Sequence, residues 1–239
     1  MKIIIDHLTR MSSGFICAAG IDPETGQHIR PVLRGNQRFP VTKLAIHGGP
    51  LAISAIVDLK GAIPTPVKPE IEDHLVFQLL MRRAGSLDDG DFWELLAQRS
   101  HTRFSTIFGS DLVHDGQSCT VTPGSGLASL GLLTPSQSPR ISVRQRPNGR
   151  SGVRLSVTDG DVYCDLSVTD VRLYRDDNIG NWIPHLAVVQ RVSHALQEGE
   201  PVVLAVGLTR PFSGSNGKPR HWLQINNIHF PDSSIFSSD

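Results

Sequence analysis

The stretch Val153-Arg-Leu-Ser-Val-Thr-Asp159-Gly160-Asp-Val-Tyr-Cys-Asp-Leu-Ser-Val168 decides the fold class. Val153, Leu155 and Val157 alternate with Arg154, Ser156 and Thr158, and Val162, Cys164, Leu166 and Val168 resume the alternation after Asp159-Gly160. A period of two marks a strand with one buried face, and Asp-Gly is a favoured two-residue turn, so the segment reads as a β-hairpin. Counting back from that turn pairs Val157 with Val162, Leu155 with Cys164 and Val153 with Leu166, which places the apolar side chains on one face.

Working outward, Ile141 and Val143 alternate with Ser142 and Arg144, and Pro147-Asn148-Gly149 supplies another turn. Downstream, Leu186, Val189, Val192 and Leu196 make a helical stripe that Gly199 closes, and residues 202–207 and 222–228 read as two further strands. Several strands, a helix and then two strands is the order of the OB-fold, a small Greek-key barrel; a β-meander with one packed helix is the competing arrangement. Toward the N-terminus, residues 120–139 (TVTPGSGLASLGLLTPSQSP) are rich in Gly, Ser, Thr and Pro, which puts a domain division near Gly124. Residues 15–21, the turn Asp22-Pro-Glu-Thr-Gly26 and residues 27–33 read as a second strand pair, with Pro31 expected at an edge or strand end. Residues 51–59 are another strand candidate. Ile71, Leu75, Leu79 and Leu80 recur at helical spacing, and residues 91–97 fit a helix with acids near its start.

The expected fold is therefore mainly β with a few helices, in two small OB-like Greek-key barrels. Residues 1–123 form the first, with a helical insertion, and residues 124–239 the second. The chain has 239 residues with 23 Lys+Arg against 23 Asp+Glu, which excludes a uniformly basic nucleic-acid coat and requires any electrostatic partner to meet a local patch. Cys17, Cys119 and Cys164 are odd in number and widely spaced, so they suggest neither a disulfide framework nor a zinc ribbon, and a reducing, cytoplasmic setting is expected. Asp6 and His7 end the apolar start too early for a signal sequence, and no run reaches the roughly 20 apolar residues of a membrane span.

Two segments echo each other. An apolar strand runs into Leu8-Thr9-Arg10 and then a Ser/Gly loop; another runs into Leu208-Thr209-Arg210 and a second Ser/Gly loop. Either the two share an origin or role, or they are unrelated strand ends. Residues 8–33 (LTRMSSGFICAAGIDPETGQHIRPVL), together with VGLTRPF at 206–212 and HWLQINNIH at 221–229, resemble the bacterial dual-OB-domain-containing proteins. That resemblance covers most of the chain and implies two OB-like barrels and a role in binding nucleic acid.

Charge is distributed unevenly. Arg140, Arg144, Arg146, Arg150 and Arg154 occur with no acid among them; Arg30, Arg34, Arg38 and Lys43 form a second basic group. Residues 70–115 hold nine acids against four bases, so the acidic part either repels nucleic acid from one side or packs against the basic part. A row of guanidinium groups on a curved sheet suits a phosphate backbone; the alternative is a solvated outer face neutralised by Asp161 and Asp165. The expected phosphate contacts are Arg10, Arg30, Arg34, Arg144, Arg154, Arg210 and Arg220, with Lys218 on the same loop as Arg220. Trp222 and Gln224, sharing one face of the last strand with Asn226, are expected to contact a base, although Trp222 could equally cover the core edge.

Catalytic motifs are missing: the sequence has no phosphate-binding Gly loop, no His-Glu-x-x-His and no Gly-x-Ser-x-Gly. The expectation is a non-catalytic binder of RNA or single-stranded DNA, with no cofactor, no metal and no membrane partner. Two alternatives stand beside it. One is a protein-interaction adaptor in a bacterial defence or repair complex. The other is a metal-dependent nuclease, in which Asp58 with Asp22 would hold Mg²⁺ and Lys60 would steady the attacking water.

Overall fold

The structure, a computed structural model, describes residues 1–77, 79–145, 149–160, 162–176, 181–213 and 217–237. Arg146 and the Pro147-Asn148 turn, Asp161, and the tip of the last Ser/Gly loop lie outside the described residues.

The first barrel begins with β1 (Lys2–Arg10), which turns Ile3, Ile5 and Leu8 into its core. It pairs antiparallel with β2 (Phe15–Ile21), which pairs with β3 (His28–Val32) and, at its start, with the short β4 (Phe39–Pro40). β5 (Ala55–Leu59) returns along the other side of β1, and β6 (Ile63–Pro64) follows it to pair with β7 (Asp73–Leu75). β7 runs parallel to β3. A three-strand meander with the fifth strand parallel to the third is OB connectivity. β8 (Met81–Ser86) extends the sheet beyond β5.

α1 (Asp89–Arg99) starts where the Asp88 carboxylate accepts the Asp91 N–H at 2.8 Å, and its early acids complement the helix dipole. Its Phe92 and Leu96 pack with Ile4 and Ile21 of the first barrel and with Leu132, Val203 and Ala205 of the second. α2 (Phe104–Phe108) buries Phe104, Ile107 and Phe108, and the hairpin β9 (Val113–Asp115) and β10 (Ser118–Val121) follows.

In the second barrel the first strand is split into β11 (Leu130–Leu133) and β12 (Arg140–Gln145). β12 pairs with β13 (Ser151–Asp159), and β13 with β14 (Val162–Ser167). The hairpin β15 (Tyr174–Asp176) and β16 (Trp182–Pro184) and then α3 (Leu186–Gln197) intervene. β17 (Val203–Leu208) pairs with β11 and with β19 (Pro219–His229), and the short β18 (Phe212–Ser213) also pairs with β19. A parallel bridge from Val168 to Ile225 completes the ring in the same order as the first barrel, and the β9–β10 hairpin adds to β19.

Three local expectations change. The hairpin pairs Asp159 with Val162, Val157 with Cys164 and Leu155 with Leu166, one step along each strand from the expected register. Gly160, at φ +62, opens the turn, while Asp159 stays in the ladder, where its carboxylate accepts the Phe104 N–H at 3.0 Å. The apolar face survives because each strand moves by one. The described residues of 71–80 form no helix: residues 73–75 are β7, and Ile71, Leu79 and Leu80 are exposed. Pairing with β3 overrides the spacing. The strand expected from residue 51 begins only at Ala55, because Ser54 takes a left-handed φ of 62°. Pro31 lies in β3 past its last pair with β2, where its missing N–H costs no ladder bond to that neighbour.

Candidate nucleic-acid interface

The two Leu-Thr-Arg segments end strands on either side of one seam. Leu8 and Leu208 are buried in their respective cores, and the arginines cross reciprocally. Arg10 leaves β1 and stacks on Tyr174 of the second barrel, its guanidinium carbon 3.9 Å from the ring centre, and Nη2 donates to the Tyr174 hydroxyl at 3.1 Å. Arg210 follows β17 and reaches the first barrel, where Nη2 meets Asp73 Oδ2 at 2.6 Å and Nη1 lies 3.3 Å from Glu70 Oε1. Asp73 also accepts Arg30 Nε at 2.6 Å, so one carboxylate bridges two arginines.

Backbone groups stitch the same seam. Asn227 accepts the Leu8 N–H at 2.7 Å and donates to the Leu8 carbonyl at 3.2 Å, standing in for a strand neighbour. Glu72 accepts the Ser129 N–H and hydroxyl, both at 2.8 Å, and the Leu130 N–H at 3.1 Å. Register slips at Asp6 in β1 and at Asn226 in β19 turn these side chains inward. Gly207 makes room for the second: a Cβ there would lie 2.3 Å from Asn226 Nδ2.

Between the two Leu-Thr-Arg ends opens a cavity of about 480 Å³, lined by Arg10, Arg30, Arg38 and Arg210 and by Phe212 and Gln224. Two guanidinium atoms, Arg10 Nε and Arg30 Nη2, are buried with no hydrogen-bond partner. On the far wall Gln224 Nε2 donates to Asn226 Oδ1 at 2.8 Å, and Asn226 Nδ2 donates to His7 Nδ1 at 3.0 Å. Four cations against the carboxylates of Glu70 and Asp73 leave the cavity positive. Cys17 also lines it, but burial pushes its thiol up, so it stays protonated and is no nucleophile.

The family model of the dual OB-containing domain matches residues 1–228. The chain belongs to that family. No curated protein matches it. OB domains as a class bind nucleic acids, among other ligands, so membership fits a generic nucleic-acid-binding role without naming a target. Among the described residues, no helix of this dual OB-containing domain is long and apolar enough to cross a membrane.

Of the residues singled out in the sequence, the seam gathers Arg10, Arg30, Arg210 and Gln224. It does not gather the others. Arg144 and Arg154 lie on the β12–β13 face and share Asp165, at 2.6 and 3.3 Å, and Arg154 also donates to Ser167 Oγ at 2.6 Å. One carboxylate thus serves two arginines there, and Asp161 lies outside the described residues. Arg220 donates to Thr122 Oγ1. Arg34 and Lys218 are exposed. Trp222 is half-buried and stacks on Phe212, ring centres 5.9 Å apart, so Phe212 lines the cavity and Trp222 backs it. Arg38 was only one member of a basic group in the sequence; its role in the lining comes from the 3₁₀ turns that follow β3.

The nuclease candidates have these surroundings. Asp22 spends its carboxylate on its own turn, accepting the Glu24 N–H at 2.9 Å and the Thr25 hydroxyl at 3.0 Å. Asp58 lies 3.9 Å from the terminal amine, and Lys60 is exposed. No ligand-like group of three among the described residues includes either aspartate.

Behind the cavity wall lies a buried charge cluster. Burial alone would raise the Asp6 carboxyl, but His7, His28 and His229 around it outweigh that and hold it below the usual range. His28 donates to Asp6 Oδ2 at 2.9 Å and is held protonated more readily than a free imidazole: burial opposes this, and the Asp6 charge prevails. Burial pushes His7 down to about 3 and His229 down to about 4, so both are neutral near pH 7.

Proposed function

We propose that this dual OB-containing domain is a non-catalytic nucleic-acid-binding protein that holds RNA or single-stranded DNA at the seam between its barrels. The observation that carries this reading is the convergence of Arg10, Arg30, Arg38 and Arg210 on one cavity. A phosphate oxygen in that cavity would accept charge-assisted hydrogen bonds from these guanidinium groups. Phe212, backed by Trp222, offers a ring for stacking, and Gln224, anchored through Asn226, stands beside it to meet a base edge. A cavity of this size admits a nucleotide unit and excludes a duplex, which favours a single strand. Arg34 and Lys218 serve as outer phosphate contacts; Arg144 and Arg154 add little while Asp165 holds them.

Anisotropy titrations of the whole chain with labelled RNA, single-stranded and duplex oligonucleotides test this. Binding to single strands should weaken steeply with salt, and Arg10→Met with Arg38→Met should flatten the log–log slope by about 1.4, at about 0.7 per lost phosphate contact. Salt-insensitive binding, or none to any oligonucleotide, contradicts the reading.

A second reading, a protein-interaction adaptor, is favoured by a different surface. An apolar cavity of about 520 Å³ between the first barrel and α3 is lined by Leu44, Leu51, Trp182 and Val188, with Ile46 83% exposed at its edge. Purification of the native assembly discriminates: a stoichiometric protein partner without nucleic acid supports the adaptor.

A further inference from the structure

Sheet pairing brings together three side chains that are distant in sequence. His114 and Cys119 are cross-strand partners in the β9–β10 hairpin. The Asp165 N–H donates to the Gln117 carbonyl at 2.7 Å, which lays β14 beside that hairpin and sets Cys164 against Cys119. The two sulfurs are 3.5 Å apart, and Cys119 Sγ lies 3.7 Å from His114 Nδ1 and 3.8 Å from Nε2. One ligand atom from each of the three residues falls within 4.8 Å of the other two.

The two separations from Cys119 Sγ are close to two edges of a tetrahedron around zinc, and the third edge is within 4.8 Å. Bonds of about 2.3 Å to sulfur and about 2.0–2.1 Å to nitrogen, at tetrahedral angles, put two sulfurs about 3.8 Å apart and sulfur and nitrogen about 3.6 Å apart. Both thiols are buried, whereas His114 is exposed, so the imidazole is free to turn either nitrogen toward an ion and the remaining coordination position opens to water. Two thiolates and an imidazole are a soft donor set that selects zinc-class ions over Mg²⁺ or Ca²⁺. We propose that His114, Cys119 and Cys164 bind one zinc-class divalent ion, with water as the fourth ligand. Binding displaces the two thiol protons to solvent and ties the hairpin between the barrels to β14.

Cobalt(II) titration of the full chain, reduced and stripped of metal, tests the site independently of nucleic-acid binding. The expected result is saturation at one equivalent, with a thiolate-to-cobalt charge-transfer band, tetrahedral visible bands, and displacement by Zn²⁺. Cys119→Ser and Cys164→Ser should each cut the charge-transfer band at stoichiometric cobalt to half or less. His114→Ala, at an exposed hairpin position, should weaken binding by more than about tenfold, a scale that even outer-shell partners reach. Zinc should also raise the melting temperature of the parent chain more than that of His114→Ala. Absence of the band at stoichiometric cobalt overturns the proposal. So does a band of undiminished intensity in Cys164→Ser, or a mass two hydrogens lighter that marks a Cys119–Cys164 disulfide as the resting state.

Discussion

Replacing Asp73 by alanine removes the carboxylate that lies 2.6 Å from both Arg30 Nε and Arg210 Nη2. The two arginines should respond differently. Arg210 has a half-exposed side chain and keeps Glu70 at 3.3 Å, so its share of the loss is under about 1 kcal/mol. Arg30 is 5% exposed and already has one unpartnered nitrogen, so it would become a buried cation with no counter-charge. Removing one member of a buried pair costs about 3–5 kcal/mol, and that sets the expected loss for Asp73→Ala. Replacing both members, as Arg30→Met with Asp73→Leu, should recover most of it, because apolar residues of similar volume are nearly neutral at such sites. Urea unfolding of parent, single and double variants supplies the cycle. A loss below about 1 kcal/mol for Asp73→Ala, or a double variant no more stable than the single, would refute the buried-bridge reasoning.

Asn227→Ala should cost about 2–5 kcal/mol in the same assay, since the N–H and carbonyl of Leu8 would both lose their partner. Gly207→Ala should cost about 1–3 kcal/mol, because its Cβ displaces an Asn226 amide fixed between Gln224 and His7. Stability should fall as pH drops from about 6.5 toward 4: the unfolded chain takes up protons there that His7 and His229 refuse until about 3 and about 4. His28, shifted the other way, offsets part of this, and equal unfolding free energies at pH 7 and pH 4.5 would contradict the neutral assignment. The Arg144→Ala/Arg154→Ala double variant should leave the salt dependence of oligonucleotide binding unchanged, because Asp165 already occupies both side chains.

Alternation in β13 and β14, the α3 stripe and its closing Gly199 were legible because each is a local pattern with one buried face. The hairpin register was not, because Asp159 answers a donor 55 residues away. Residues 71–80 misled for a related reason: Asp73 and Glu72 are placed by what they bind, Arg30, Arg210 and residues 129–130, and not by helical spacing. The Leu-Thr-Arg echo marked residues that meet at the seam, but reciprocal crossing of Arg10 and Arg210 depends on Tyr174 and Asp73, which no short-range pattern links to it. Arginine clustering in sequence marked the 140–154 run, where cross-strand geometry supplies Asp165 as a ready counter-charge. His114, Cys119 and Cys164 were invisible as a set, because sheet pairing brings together residues 45 apart.

Ultraviolet crosslinking of a bromouridine-bearing single strand to the whole chain, followed by peptide mass mapping, reports directly where nucleic acid lies. Crosslinks should fall on the peptides carrying Phe212 and residues 7–12, the two sides of the seam. Crosslinks confined to Tyr163, exposed on the Arg154 face of β13 and β14, would contradict it.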